Sequence, residues 1–330
     1  MLLVWNIVLT VQVHRLSTNT SDGKVIVHNK VDTNDISSVI ASVKTSVVSV
    51  ESHHDVYSGV VLEKDDESLY IVTVAEAVGN TVEVYFDSGY CAQAEVLGVD
   101  EDTDLCVLCV DVDFDVDGFS LKELDEVSSG ENVIGIGGRT NGIGNRVISS
   151  GVCSEEGLYE MHSDSTWLAT MYETDMDVDT RQYGGALVDL NGNLLGVLVN
   201  APSTSSSRME YAISSAEVKK VYEDIRKDGA VTRGSLGIVV RAVNEMESYE
   251  KNQNGLNLDA TSGLFILNVP ETSCAYDLLY RGDRLVKMDN TSIDSLQDLR
   301  NALYKKQSGD EVKLSYIRNN ESDSVTVVLQ

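Results

Sequence analysis

The chain is poor in proline, in cysteine and in positive charge. Its 330 residues include 2 prolines and 5 cysteines, and 25 lysines and arginines stand against 53 aspartates and glutamates, giving a net charge of −28. So few prolines exclude collagen-like, mucin-like and proline-rich linker architectures. The negative charge argues against nucleic acid and anionic lipid surfaces as partners, because it repels their phosphate groups. With 42% hydrophobic and 24% charged residues, the composition is that of a globular protein of two or three domains.

The cysteines fit neither a disulfide framework nor a zinc site, and we predict no metal and no cofactor. They are odd in number and lack the paired CxxC repeats and flanking histidines of zinc sites. Residues 113–118, DFDVDG, match the first half of a calcium loop, but its twelfth position is Leu124 and Glu123 comes one residue early. We interpret this segment as an acidic turn, with calcium binding as the alternative.

The first residues form an uncharged apolar stretch, MLLVWNIVLTVQV. At 1.5 Å per residue in a helix, it spans only about 20 Å of a roughly 30 Å hydrocarbon core. We interpret residues 1–15 as a truncated transmembrane anchor or signal remnant, and residues 16–38 as a polar linker. The alternative is an ordinary N-terminal strand.

The apolar pattern after the linker predicts two folded units. Helical spacing from residue 36 predicts one short helix, and β-branched runs about ten residues apart then predict an all-β sandwich or barrel. Ser214 and Glu217 form a capping box that begins a closing helix. The polar connector around residue 230 leads to a second unit of strands and two helices, the later beginning at Ser295.

Three segments of the first unit carry a specific resemblance. They read IVTVAEAV, DEDTDLCVLCV and TDMDVDTRQYGGALVDLNGNLLGV. These resemble the catalytic segments of the trypsin-like HtrA (DegP/DegS-type) protease family, and the blocks between them match almost continuously over residues 39–227. Residues 232–330 resemble the family's PDZ domain through SLGIVV and RGDRLVKMDN. The resemblance implies a mainly β fold, a trypsin-like double six-stranded β-barrel followed by an α+β PDZ domain.

The positions that correspond to the family's catalytic triad have lost two of its three groups. The histidine position holds Glu76, the serine position holds Tyr183, and only Asp104 is retained. A carboxylate with a pKa near 4.3 is a poor neutral base, and a tyrosine ring displaces its hydroxyl from the attack point of a serine. The sequence therefore predicts triad-equivalent positions without function. A tyrosine nucleophile activated by Glu76, as in some glycosidases, is the alternative.

The surroundings of this site have changed as well. Arg181 replaces the glycine that supplies an oxyanion N–H in the family, and Gln182 follows it, so we expect a deformed oxyanion region. Asp177 falls where the resemblance implies the base of the specificity pocket, and an acidic base there would favour lysine or arginine side chains. A solvated acidic loop is the competing interpretation of that segment.

The PDZ-like unit keeps a more complete binding apparatus. The resemblance implies that Ser235, Leu236, Gly237 and Ile238 form the loop whose N–H groups hold a peptide's terminal carboxylate, beside the helix that begins at Ser295. A PDZ fold retained only for stability or oligomer contact is the alternative.

We therefore predict a catalytically inactive HtrA-like homologue, a pseudoprotease, that binds unfolded polypeptides or protein C-termini in protein quality control. The predicted location is the cell envelope, extracytoplasmic and anchored by the N-terminal segment. Two alternatives stay open: an active endopeptidase that uses non-standard groups, and a non-catalytic scaffold subunit of a protease assembly. The resemblance implies a homotrimer, and a hetero-oligomer with a catalytic homologue is the other assembly considered.

Overall fold

The computed structural model describes residues 35–52, 55–65, 68–121, 127–159, 161, 167–202, 205 and 209–330. Residues Ile36–Gln330 form one compact unit. The predicted anchor lies outside the described residues, as does most of the predicted linker, whose last three residues begin a helix. None of the described helices is long and apolar enough to cross a membrane.

The first barrel follows a short amphipathic helix, α1 (Ile36–Val43), which buries Val39 and Val43 as the helical spacing predicts. Its six strands close in the order β1-β2-β3-β6-β5-β4, all neighbours antiparallel. The strands are β1 (Val47–Ser52), β2 (Asp55–Asp65), β3 (Ser68–Val74), β4 (Val82–Tyr85), β5 (Cys91–Asp100) and β6 (Leu105–Asp111). Their β-branched and aliphatic side chains fill the interior, as the short apolar runs of the sequence indicate.

The second barrel closes in the order β10-β11-β12-β9-β8-β7. Its strands are β7 (Asn132–Arg139), β8 (Arg146–Tyr159), β9 (Ala169–Thr174), β10 (Ala186–Val188), β11 (Leu194–Val199) and β12 (Glu210–Ser214). Helix α2 (Ser215–Asp228) follows, and its N-cap Ser214 accepts a hydrogen bond from the Glu217 amide, which is one half of the predicted capping box; the Glu217 carboxylate pairs with Arg300 instead. The helix buries Val218, Val221 and Ile225 against the barrels.

The last hundred residues form an antiparallel sheet with two helices. The sheet order is β13-β14-β15-β17-β18, and β16 pairs only with β15. The elements are β13 (Val239–Ala242), α3 (Ser248–Gln253), β14 (Leu264–Asn268), β15 (Arg284–Met288), β16 (Thr291–Ser292), α4 (Leu296–Tyr304), β17 (Glu311–Arg318) and β18 (Glu321–Val328). Two six-stranded barrels followed by this α+β sheet confirm the predicted fold class.

Buried ion pairs join the sheet domain to the barrels. Arg300 of α4 pairs with the fully buried Glu217 of α2, and its guanidinium lies 5.2 Å from the ring centre of Trp167. At the connector, Arg233 donates to both oxygens of Asp100 at 2.7 Å. These charges are compensated out of water, so both pairs restrict how the two parts move relative to each other.

Candidate functional site

Tyr183 follows a single 3-10 turn, Thr180–Gln182, between β9 and β10. Asp179 caps the turn, and its carboxylate accepts hydrogen bonds from the Arg181 amide at 3.0 Å and from the Arg181 guanidinium at 2.8 and 3.0 Å. The Tyr183 amide donates to the Thr180 carbonyl oxygen at 3.1 Å. The N–H groups of Arg181 and Tyr183 are thus both used inside the turn.

The Tyr183 side chain is half-buried and packs against the core. Its hydroxyl lies 3.5 Å from Oε2 of Glu210, at the start of β12. Burial and the charges of Glu210 and Glu76 raise the pKa of Tyr183 to about 12. The phenol is therefore protonated at neutral pH, which is the opposite of an activated nucleophile and argues against the glycosidase-like alternative.

Glu76 and Asp104 lie on the first barrel, at the ends of neighbouring strands. Glu76 is exposed in the single turn Ala75–Ala77 after β3, whereas Asp104 is buried, with a φ of 58°, directly before β6. The Asp104 carbonyl oxygen accepts a hydrogen bond from the Ala75 amide at 2.9 Å. Burial is the largest cause that raises the pKa of Tyr57. The charge of Glu76 and, to a smaller extent, that of Asp104 raise it further. Glu76, Asp104 and Tyr183 therefore face one region of the molecule.

Ser58 and Glu210 belong to this region, although the sequence did not single them out. The fully buried Ser58 hydroxyl donates to the Arg181 carbonyl oxygen at 2.6 Å and accepts from the Gly138 amide at 2.8 Å. Its own amide donates to the Tyr183 carbonyl oxygen at 2.8 Å. Burial, opposed by the Tyr183 hydrogen bond, raises the pKa of Glu210. For Ser58 the signal in the sequence was the segment SGVV at residues 58–61, part of the blocks that match between the catalytic segments; no pattern in the sequence marked Glu210.

Gln182 supports the turn from inside the second barrel. It is fully buried, its side-chain nitrogen donates to the Gly135 carbonyl oxygen and to Ser149 Oγ, both at 3.1 Å, and its side-chain oxygen accepts from the Asp179 amide. The Gln182 side chain therefore holds the turn beside Tyr183 against the second barrel.

Asp177 is exposed, on the segment between β9 and the turn. Its charge contributes to raising the pKa of Glu210, which places it near the Tyr183–Glu210 contact. An exposed carboxylate fits the solvated acidic loop better than the floor of a cation-binding pocket.

The acidic turn at residues 113–118 holds a lysine ammonium. Lys64 donates to the Phe114 carbonyl oxygen at 3.0 Å and contacts the Asp115 carboxylate at 3.3 Å. Among the described residues no group of three or more His, Cys, Asp and Glu side chains could hold a metal ion. Glu123 and Leu124 lie outside the described residues, as do all five histidines.

A groove of about 920 Å³ lies between β13 and α4. Ser235, Leu236, Gly237 and Ile238 line one side, and helix residues such as Leu296 and Leu299 line the other. Gly237 has a φ of 63°, a left-handed conformation that glycine adopts without strain. The barrels complete the groove with Tyr159 and Trp167. The structure thus brings together all four residues predicted for the carboxylate-binding loop.

Two family models match the chain. The trypsin-like peptidase domain matches residues 57–197, and the PDZ domain matches residues 234–329. The chain is 27% identical over 284 residues to the serine protease Do-like HtrA of Lactococcus lactis subsp. cremoris (strain MG1363), covering 82% of this chain and 70% of that relative. It is 26% identical over 278 residues to the periplasmic serine endoprotease DegP of Escherichia coli (strain K12), covering 83% and 56%.

The fold is also that of solved structures. The chain aligns with the HtrA-type protease AlgW with decapeptide at a TM-score of 0.71 and 21% identity, covering 88% of this chain and 97% of that one. The same protease with tripeptide gives a TM-score of 0.72 at 23% identity.

Proposed function

Because the chain belongs to the HtrA-like family, in which a trypsin-like peptidase domain is followed by a PDZ domain, we propose that it is an inactive member that binds polypeptides without cleaving them. The proposed division is a peptidase-like domain at residues 39–227 and a PDZ domain at 232–330. The observation that carries the proposal is the turn at Tyr183.

Serine-type hydrolysis needs a small nucleophile, a neutral base and two N–H donors aimed at the developing oxyanion. Here the nucleophile position carries a phenol whose pKa is raised to about 12, and the base position carries the carboxylate of Glu76. The two N–H groups that correspond to the oxyanion donors point to Asp179 and to Thr180. All three requirements are absent at once in this described site, so a single compensating change would not restore hydrolysis.

The groove beside β13 supports the binding half of the proposal. Strand β13 is at the edge of its sheet, so its outer N–H and C=O groups are available for an added peptide strand. Apolar residues of α4 line the groove opposite the loop at Gly237. In this loop the Ser235 amide donates to the Gln330 carbonyl oxygen at 2.9 Å and the Gly237 amide donates to Ser235 Oγ at 3.1 Å, so the proposed carboxylate contacts are the amides of Leu236 and Ile238. Ligands of this site are proposed to be unfolded polypeptides or protein C-termini.

We place the protein in the cell envelope, in protein quality control, since the Escherichia coli and Haemophilus influenzae relatives are named as periplasmic proteins. The N-terminal anchor and a homotrimer or hetero-oligomer with a catalytic homologue are part of this proposal. A scaffold role is the second candidate, favoured by the ion pairs that fix the PDZ domain on the barrels.

The first experiment measures cleavage of unfolded casein by the purified protein over a range of pH. We expect no cleavage above that of a buffer control. Cleavage that disappears in Tyr183→Ala would overturn the proposal and favour an endopeptidase with non-standard groups.

The second experiment tests binding with a library of peptides that have free C-termini. Ile238→Asp places a charge in the groove, and Val328→Asp, on the exposed edge of β18, is the matched control. We expect enrichment by the parent protein and by Val328→Asp, and at least tenfold weaker binding by Ile238→Asp. Absence of enrichment together with stable hetero-oligomers would favour the scaffold.

A further inference from the structure

A second cavity, of about 400 Å³, lies in the PDZ domain and shares no lining residue with the peptide groove. Three segments border it: residues 254–257 after α3, residues 280–284 at the start of β15, and residues 317–320 at the β17–β18 hairpin. Its volume falls within the range of small-molecule sites, about 300–1,000 Å³. Its wall contains three arginines, Arg281, Arg284 and Arg318.

Two of these three arginines differ from the other described arginines in that they form no ion pair with a described carboxylate. Ten arginines lie among the described residues, and eight of them form ion pairs with described carboxylates. The two that do not are Arg281 and Arg284, and both line this one cavity. In a chain with a net charge of −28, carboxylates are abundant, so two unpaired guanidinium groups at one cavity point to a ligand that supplies the negative charge.

The third arginine, Arg318, is paired with a carboxylate of the cavity wall. Arg318 donates to both oxygens of Asp283 at 2.7 and 2.6 Å, and its guanidinium lies 4.7 Å from the ring centres of Tyr280 and Tyr316. Asp283 also accepts from the Tyr280 amide at 2.8 Å. This buried carboxylate is therefore neutralised by Arg318 and leaves the charges of Arg281 and Arg284 uncompensated within the lining.

The remaining polar groups define what else the ligand carries. Asn254, Asn257, Asn319 and Asn320 also line the cavity, and side-chain amides can both donate and accept hydrogen bonds. Asn254 Nδ2 already donates to the Glu250 carbonyl oxygen at 2.8 Å, and Asn257 Oδ1 accepts from the Asp259 amide at 3.0 Å. Arg284 uses one N–H on the Ser262 carbonyl oxygen at 3.0 Å, which holds its side chain in place. Two guanidinium groups match a dianion, and the surrounding amides match hydroxyl groups.

We propose that this cavity binds a small hydroxylated phosphate monoester, with Arg281 and Arg284 as the phosphate ligands. The phosphate belongs to a soluble molecule, since the negatively charged chain repels anionic membrane surfaces. The site is separate from the peptide groove, so the proposal stands whether or not the groove binds peptides.

The test is a calorimetric titration of the whole protein with glycerol 3-phosphate, at low and at high salt. The variant is the double substitution Arg281→Gln and Arg284→Gln, and the matched control is Lys287→Gln, which removes an exposed charge from β15 outside the cavity. Thermal unfolding midpoints establish that both variants are folded. A second arm measures co-sedimentation with phosphatidylcholine vesicles that contain phosphatidic acid.

We expect saturable binding to the parent protein and to Lys287→Gln, weakened by salt, and at least tenfold weaker binding to the double variant. No saturable binding to the parent protein, or an equal loss in Lys287→Gln, would overturn the proposal. Binding to the vesicles without binding to glycerol 3-phosphate would also overturn it, in favour of a lipid headgroup site.

Discussion

Ser58 shows how one small side chain connects the two barrels at the candidate site. Its fully buried hydroxyl joins the Arg181 carbonyl oxygen to the Gly138 amide. Gly138 is packed so closely against the Val48 backbone that an added Cβ would lie 2.2 Å from its carbonyl oxygen. A residue larger than glycine would therefore fit at position 138 only if the backbone moved. We expect the Tyr183 turn to be held in place by the hydrogen bond from Ser58 to the Arg181 carbonyl oxygen.

We expect Ser58→Ala to lower the free energy of unfolding by about 1–3 kcal/mol, because the two hydrogen bonds of this fully buried hydroxyl, to the Arg181 carbonyl oxygen and from the Gly138 amide, are lost. Chemical denaturation measures the difference, with Ser88→Ala on an exposed turn as the control. A loss no larger than that of the control would show that the hydroxyl does not hold the turn.

The Asp179–Arg181 pair predicts a dependence of stability on pH. The hydrogen bonds from Arg181 lower the pKa of Asp179 from 3.8 to about 2. The stabilisation is therefore present above about pH 4 and is lost as the pH falls through 2. Both side chains are partly exposed, so its size is at most about 1 kcal/mol.

The measurement compares the parent protein with Asp179→Asn at pH 5 and at pH 2. We expect the variant to be less stable at pH 5 and the difference to shrink at pH 2. Asp177→Asn, which removes a neighbouring carboxylate that forms no ion pair with a described residue, serves as the control. A difference that stays constant with pH would contradict the role of this pair.

The sequence predicted some of the site residues and missed others for a physical reason. Glu76 and Tyr183 stand inside contiguous segments that resemble the family's catalytic segments, so the resemblance was enough to locate them. Ser58 and Arg181 are 123 residues apart, and their contact exists only because two closed barrels pack together. Glu210 meets Tyr183 through the pairing of β12 with β9, which no local pattern of the sequence indicates.

At the scale of single elements, local signals were sufficient where a helix begins and weaker where a strand ends. Ser295 and Asp298 form the capping box at the start of α4, as their spacing of three residues indicates. Strand β8 instead continues to Tyr159, beyond the apolar run at residues 146–152. Its polar second half is held by pairing with β9, after an irregularity between Cys153 and Glu155, and that pairing is not visible in the apolar pattern.

We expect Ser295→Ala to cost about 1 kcal/mol, since the Asp298 amide and the first turn of α4 lose their cap. Because α4 lines the peptide groove, binding of a C-terminal peptide should weaken in the same variant. Unfolding and peptide titration are measured together, with Ser308→Ala at an exposed position as the control. Full stability in Ser295→Ala would contradict the role of the cap.

At the scale of the whole molecule, ion pairs join the barrels to the PDZ domain, and the sequence does not show which charged residues form them. Arg300 and Glu217 are 83 residues apart, and the sequence indicates Glu217 only as the partner of Ser214 in a capping box. In the fold both are almost fully buried, and burial lowers the pKa of Arg300 to about 10. Tyr304 adds a hydrogen bond from its hydroxyl to the Ala216 carbonyl oxygen at 2.6 Å.

We expect Arg300→Met to destabilise the protein by about 3–5 kcal/mol, because Glu217 would stay buried without its partner. Differential scanning calorimetry should show the PDZ domain unfolding before the barrels. The double variant with Glu217→Met should recover part of the loss, and Arg241→Met, in an exposed pair, should cost little. A small effect of Arg300→Met alone would show that this pair does not hold the domains together.

The PDZ sheet is open and has two edge strands, β18 and β13, which differ in the side chains that they expose. The outer strand β18 carries exposed Glu321, Ser322, Asp323 and Ser324, whose charge and polarity discourage a further strand from a second molecule. The opposite end, β13, has exposed Val239 and the partly exposed Arg241, which pairs with Glu250. One charged residue thus stands on β13 where the first half of β18 has two charged and two polar ones, so pairing with a strand of a second molecule is opposed less at β13, and an occupant in the groove would cover that edge.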